Sequence, residues 1–185
     1  MLSLPLRDIL QSSGLNEVWL YPSSVRIDSF VLVLRSRLRD IYVSNWRTGL
    51  DLSSALDVFR EIKLNFGQSS NLTSMENTKY RNSLAKFRLS SHKLNIEVGR
   101  HNNIPRNERK CTLCNLNDIE DEFHFLLKCP LYTAFRRQYI PKHFYTNTNM
   151  FKYITLMQSE NTCISTLKNI ALFCDKSFKL RDTLL

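Results

Sequence analysis

Apolar positions along the chain recur at helical rather than strand spacing. Ile27, Phe30, Val31, Leu34, Leu38, Ile41 and Tyr42 keep the three–four spacing of one helix face, while Arg35, Arg37 and Arg39 fall largely off it. The pattern predicts a long helix that starts at Ser23 or Ser24 and closes at Thr48-Gly49. Trp46, near its end, reads as core rather than as a stacking platform for a base. Before it, residues 4–13 form a short predicted helix stopped by Gly14, and Val18 to Pro22 reads as irregular.

Leu56, Phe59 and Ile62 mark the inner face of a second helix over about 53–65, with Gly67 as its stop and a polar loop from Gln68 to Ser74. A third helix over 75–90 places Tyr80, Leu84 and Phe87 together. Residues 91–110 carry Gly99 and Pro105 and no sustained period, so an extended, partly irregular linker is expected there. Further helices are expected over Leu131 to Tyr139, ended by Pro141, and over Met150 to Gln158, with a polar loop from Tyr145 to Asn149 between them. A final helix runs from Asn161 to Leu180, with Ile164, Leu167, Ala171, Cys174 and Phe178 on one stripe. With only 4 Gly and 5 Pro in 185 residues, few breakers interrupt these patterns. The expected fold is mainly α, with an N-terminal helical region over 1–90, a basic linker and small metal-binding insert over 91–145, and C-terminal helices over 146–185.

That insert is the chemically informative stretch. Cys111, Cys114, His124 and Cys129 form a C-x2-C-x9-H-x4-C pattern, three thiols and one imidazole within nineteen residues. Such a set suits one structural Zn²⁺, held tetrahedrally with Zn–S near 2.3 Å and Zn–N near 2.0–2.1 Å. In an unbroken α-helix, positions i and i+5 lie about 140° apart, too far to share an ion. Pro130 relieves this by pushing Cys129 out of the helical region and toward His124. Asn117 or Asp118 is the expected cap of the intervening helix. Glu120, Asp121 and Glu122 then complement its dipole in the first turn, on a solvated face.

Charge adds to this picture. The chain has 26 Lys and Arg against 17 Asp and Glu, a net +9. Residues 79–110 hold nine Lys and Arg against Glu97 and Glu108, so +7 of the excess lies directly before Cys111. A cluster of this kind favours a polyanionic partner. Arg88, Lys93, Arg100, Arg106, Arg109 and Lys110 are the candidate phosphate contacts, and His92 and His101 are expected at the surface or as caps. Cys163 and Cys174, outside the ligand set, read as packing residues.

Several chemistries find no support. There is no Asp-Asp pair of the kind that holds polymerase metals, and no phosphate-binding loop, serine elbow or H-E-x-x-H motif. No strand–turn–helix context surrounds Cys111 and Cys114 to make them a redox pair, and four ligands would close the shell to catalysis. The start of the chain lacks the pattern of a secretory leader, and its longest apolar runs are five residues. An intracellular protein of the nucleus or cytoplasm, with reduced thiols, no membrane and no small-molecule substrate, is expected.

The stretch from Arg88 through Ser-Ser-His92, Glu97, Gly99-Arg100, Ile104-Pro-Arg106 and Arg109-Lys-Cys111, then from Ile119 through His124 and Cys129-Pro-Leu-Tyr132, resembles the zinc-binding C-terminal region of LINE-type (non-LTR) retrotransposon reverse transcriptases. Phe30 to Trp46, Ser83 to Phe87 and Phe178 to Leu184 extend the resemblance over most of the chain. It implies a non-catalytic module that holds RNA or DNA near a polymerase, with Cys111, Cys114, His124 and Cys129 as zinc ligands. The endonuclease and polymerase domains of that family have no counterpart in these residues. A zinc-organised protein-interaction module, docking through the faces of 24–47 and 161–180, is the alternative, as is a decayed transposon remnant.

Overall fold

Helices carry every regular element among the described residues, which in this computed structural model are 6–22, 26–69, 74–158 and 162–185. Strand-like pairing among them is confined to one antiparallel bridge between Lys110 and Ile119. The chain divides into two units, 1–52 and 53–185. This boundary differs from the divisions at 90 and 145 drawn from sequence, because the helix before residue 90 packs against the C-terminal one. No helix among the described residues is long and apolar enough to cross a membrane.

The first unit contains α1 (Leu6–Ser12), α2 (Asn16–Leu20) and α3 (Ile27–Leu52). Gly14, at φ +70°, makes the turn after α1, and Leu15 N–H donates back to Leu10 O at 2.8 Å, closing that helix. The segment read as irregular, Val18 to Pro22, instead opens inside α2. The predicted start of α3 at Ser23 or Ser24 lies outside the described residues. Its predicted stop at Thr48-Gly49 is passed: a glycine inside a helix costs only about 1 kcal/mol relative to alanine. The helix ends where Ser53 turns extended. Along the expected stripe Phe30, Leu34 and Ile41 are half-buried, whereas Ile27, Val31, Leu38 and Tyr42 are exposed.

The second unit begins with a 3-10 turn, Ser54–Leu56, running into α4 (Asp57–Ile62), which ends at Lys63, short of the expected residue 65. Then comes α5 (Thr78–Arg88), whose cap is Asn77; its side chain accepts from Lys79 N–H and Tyr80 N–H. Residues 70–73 of the expected polar loop lie outside the described residues. Where an extended linker was expected, the chain forms α6 (Asn95–His101) and a 3-10 turn, Arg106–Glu108. The remaining helices are α7 (Thr133–Tyr139), α8 (Lys142–Tyr145), α9 (Met150–Met157) and α10 (Ile164–Leu184).

The core of this unit forms where α10 lies against α5 and α7. Leu84 and Phe87 of α5, Phe125 to Leu127 of the central segment, Tyr132, and Leu167, Ile170, Phe173 and Cys174 of α10 are buried there. Phe125 is the hub. Its ring centroid lies 4.6 Å from Phe178, 4.7 Å from Tyr132, 5.5 Å from Phe173 and 5.6 Å from Phe87. The segment that carries two of the candidate ligands is thus fixed by the core on its other side. Cys174 packs as expected. Cys163 does not: it is exposed at the start of α10, its thiol beside Ser165 and Thr166.

One close approach in α6 is testable. A Cβ on Gly99 would stand 2.6 Å from Arg109 Cγ and 2.9 Å from its Cδ. That side chain straps the segment, donating from Nε to Ile104 O at 2.8 Å and from a terminal nitrogen to Ile96 O at 3.0 Å. Gly99→Ala is expected to destabilise by about 1–2 kcal/mol despite alanine's better helix propensity, since the strap must shift. In urea unfolding, Gly99→Ala on an Arg109→Ala background should lose that penalty.

Candidate metal centre

The centre is built on a short hairpin followed by a helical turn. Glu120 N–H donates to Arg109 O at 2.9 Å and Cys111 N–H to Asp118 O at 3.0 Å, pairing the arms around the Lys110–Ile119 bridge. The loop between them turns Cys114 back toward Cys111, and Asn117, at φ +55°, takes the left-handed conformation that asparagine tolerates. Asp121, rather than Asn117 or Asp118, caps the following helix: its Oδ1 accepts from His124 N–H at 2.8 Å. The helix opens at Glu122.

From His124 to Lys128 the turn widens to the π type, and Cys129 N–H donates to His124 O at 2.7 Å. A five-residue hydrogen-bond step replaces the four-residue one. Cys129 itself is extended, at φ −54° and ψ 121°, ahead of Pro130. The widened turn and the proline together place the i and i+5 side chains on one side. Arg136 then seals this end from inside, donating to Leu126 O at 2.7 Å and to Cys129 O at 2.8 Å. Burial lowers its pKa to about 10.

The result is that Cys111, Cys114 and Cys129 Sγ and one His124 ring nitrogen all lie within 4.8 Å of one another. Cys114 Sγ is 3.4 Å from His124 Nε2. Three of the four residues are buried and Cys114 is half-buried. All five cysteines of the chain are free thiols. A hydrogen bond with Cys129, reinforced by burial, pushes the Cys111 thiol up to about 12, while the same bond holds Cys129 below the ordinary thiol range. Three sulfurs converging on one imidazole within 4.8 Å of one another can all ionise only around a cation. The other imidazole nitrogen, Nδ1, is buried without a hydrogen-bond partner, and Asp118 Oδ2 stands 3.8 Å from it. A carboxylate behind a ligating histidine is the usual orienting partner. The donor set therefore fits one metal ion.

Two acids near the centre have roles opposite to those expected. Glu120 and Glu122 are buried, not on a solvated face. Glu120 takes Arg181 of α10 in a two-pronged ion pair, 2.7 and 3.1 Å, and accepts Asn95 N–H at 2.8 Å. Burial alone would raise the Glu122 carboxyl. Its hydrogen bonds with His92, at 2.9 Å, and from Ser90, at 2.7 Å, hold it below the usual carboxylate range. His92 is thus an internal residue rather than a surface one; Leu94 N–H donates to its Nδ1, leaving Nε2 to face Glu122. His101 is exposed, beside Arg100.

The basic candidates separate in the same way. Arg88 is only 3 % exposed, because it shares the inward face of α5 with Leu84 and Phe87, and it is withdrawn as a phosphate contact. Arg109 is committed to the carbonyls of Ile96 and Ile104. Arg100 is half-exposed and held by Glu97 at 2.6 Å. Lys93, Arg106 and Lys110 point outward; Arg106 lies 3.7 Å from Asp57 and Lys110 donates to Asn117 at 2.9 Å.

Comparisons with protein-family models, with curated proteins and with solved structures returned no match to this chain.

Proposed function

We propose that the protein is a zinc-stabilised nucleic-acid-binding module, without catalysis of its own, of the kind found at the C-terminus of non-LTR retrotransposon reverse transcriptases. The observation that carries this reading is the buried Cys₃His cluster growing directly out of a segment with outward-facing Lys93, Arg106 and Lys110. Three thiolates and one imidazole are a zinc donor set. A tetrahedral zinc would set S···N at about 3.6 Å, and Cys114 Sγ and His124 Nε2 are 3.4 Å apart. Four protein ligands leave no open position, so the ion's role is structural. Retention of the thiolates calls for a reducing compartment, nucleus or cytoplasm.

RNA or DNA is the partner that the charge distribution favours. Binding of a labelled oligonucleotide should weaken steeply with salt, with a log–log slope of about −0.7 to −0.9 per phosphate neutralised. Fluorescence anisotropy at several salt concentrations checks this.

A second reading, a zinc-organised protein-interaction module, is favoured by the apolar side chains exposed on α3, where Ile27, Leu32, Tyr42 and Leu52 are each more than 60 % exposed. Complex formation through that face would change little with salt. A flat salt response in nucleic-acid binding, with salt-insensitive capture of a protein partner, would favour this reading over the first.

A further inference from the structure

Three cavities in the second unit join into one furrow. Between α5 and α10 a hollow of about 410 Å³ is lined by Lys79, Lys86, Lys179 and Asp182, among others. It shares Ser83, Lys86, Phe178 and Asp182 with a smaller hollow of about 190 Å³. That one in turn shares Ser91, His92 and Lys93 with a third, of about 420 Å³, that ends at Arg100 and His101 of α6. The furrow thus runs along α5 and past its C-terminal end to the last turn of α6.

Its chemistry changes along its length. Cations stand at both ends and along one wall: Lys79 and Lys86 lie two turns apart on α5, about 10.5 Å along its axis. The middle hollow has an apolar floor at Phe178, whose ring stacks on Phe125 at 4.6 Å and lies 6.0 Å from His92. These contacts hold the ring rigidly. Lys79 and Lys179 both bond Asp175, at 3.3 and 3.0 Å, and Arg100 bonds Glu97. Among the described residues Lys86 and Lys93 make no ion pair and are the free cations of the furrow, opposed there by the free carboxylate of Asp182.

We propose that this furrow is the path of a single-stranded nucleic acid, with Lys86 and Lys93 on successive phosphates and one base seated on the Phe178 floor between their stems. The inference rests on the nucleic-acid-binding reading above and gives it a site and a strand state. A charged groove with an aromatic floor suits single strands, because unpaired bases offer their faces to such a floor. A duplex keeps its bases stacked inside and offers only phosphates. An acidic peptide matches the cations but brings a planar ring only where it carries an aromatic residue, whereas every nucleotide of a single strand brings one. The path differs from one centred on Arg106 and Lys110 beside the metal cluster.

The test uses the full chain and a fluorescein-labelled, mixed-sequence single-stranded oligonucleotide of about 20 nucleotides, followed by anisotropy across salt. Lys86→Ala combined with Lys93→Ala, both surface changes, should weaken binding about tenfold and lower the salt slope by about 1.4, two phosphates at about 0.7 each. Asp182→Asn should tighten binding two- to threefold, roughly the effect of removing one opposing charge. Duplex of the same sequence should compete at least about tenfold less well. An unchanged slope in the lysine variant, with a reduced one in Arg106→Ala combined with Lys110→Ala, overturns the furrow but leaves the module reading standing. Polyglutamate competing as well as the oligonucleotide overturns the choice of occupant. Failure of the unaltered protein to bind any oligonucleotide in a salt-dependent way overturns both.

Discussion

Cys129→Ser is expected to abolish stoichiometric metal binding and to loosen the 105–132 region. Cys129 is fully buried and its thiol is one of the four converging donor atoms of the cluster. A serine hydroxyl is a poor substitute for a thiolate, and three remaining ligands leave an open, wet position. Structural zinc supplies about 10–16 kcal/mol of apparent folding free energy in isolated zinc-finger peptides. Here the helical core around Phe125 retains part of the fold, so a loss of about 5 kcal/mol is the expected scale for the site. Native mass spectrometry should find one metal per chain in the unaltered protein and none in the variant, with a melting temperature lower by about 10 °C or more. Chelator should reproduce the same change. Cys163→Ser, on an exposed thiol outside the cluster, is the control that keeps both metal and stability. A Cys129→Ser protein that still carries one tightly held metal and melts unchanged would remove the centre from this account.

The ligand set was legible because its geometry is local: a two-residue gap, a nine-residue return and a cysteine fixed before Pro130 all lie within one stretch. The long helices were legible for a similar reason, since Leu84 with Phe87 and Leu167 with Cys174 mark their buried faces by spacing alone. What escaped were decisions taken by distant residues. Helix α6 was missed because its inward positions are Ile96, Glu97 and Gly99, and an acid and a glycine erase an apolar period. Glu122 looked like a dipole partner until His92, thirty positions earlier, was seen to lie against it. Arg88 looked like a phosphate contact by its charge, although it stands four positions after Leu84 and so shares that buried face. Arg136 carries no signal in the sequence beyond its charge, yet it closes the widened turn from inside. One signal was present and unread: Arg181 continues the Leu167–Cys174 stripe at seven-residue spacing, where a charged residue implies a buried partner.

That partner makes the second large effect. Arg181 and Glu120 are 61 residues apart, both almost without solvent exposure, and joined by two hydrogen bonds that tie the end of α10 to the hairpin of the metal centre. Removing one member of a buried pair leaves an uncompensated charge and costs about 3–5 kcal/mol. Arg181→Met is therefore expected to destabilise on that scale, because Glu120 keeps only Asn95 N–H and the Cys111 thiol, 3.9 Å away, as neighbours. Glu120→Gln is expected to cost about as much, because Arg181 then faces a neutral amide. The double variant should recover most of either loss, since a neutral pair no longer demands solvation, and urea unfolding of all four proteins gives the coupling directly. The same pair bears on the metal. Glu120, which Arg181 holds in place, lies 3.9 Å from Cys111 Sγ, and partners that orient a metal ligand typically contribute 10- to roughly 100-fold in metal affinity. Arg181→Met should accordingly lower zinc affinity by about tenfold while leaving all four ligands in place. Hydrogen exchange then separates this from unfolding: faster exchange over 174–184 and 109–120 together, with α9 still protected, is the pattern of a severed tie. Independent single-variant costs that simply add would mean that α10 and the metal hairpin are held by apolar packing and not by this pair.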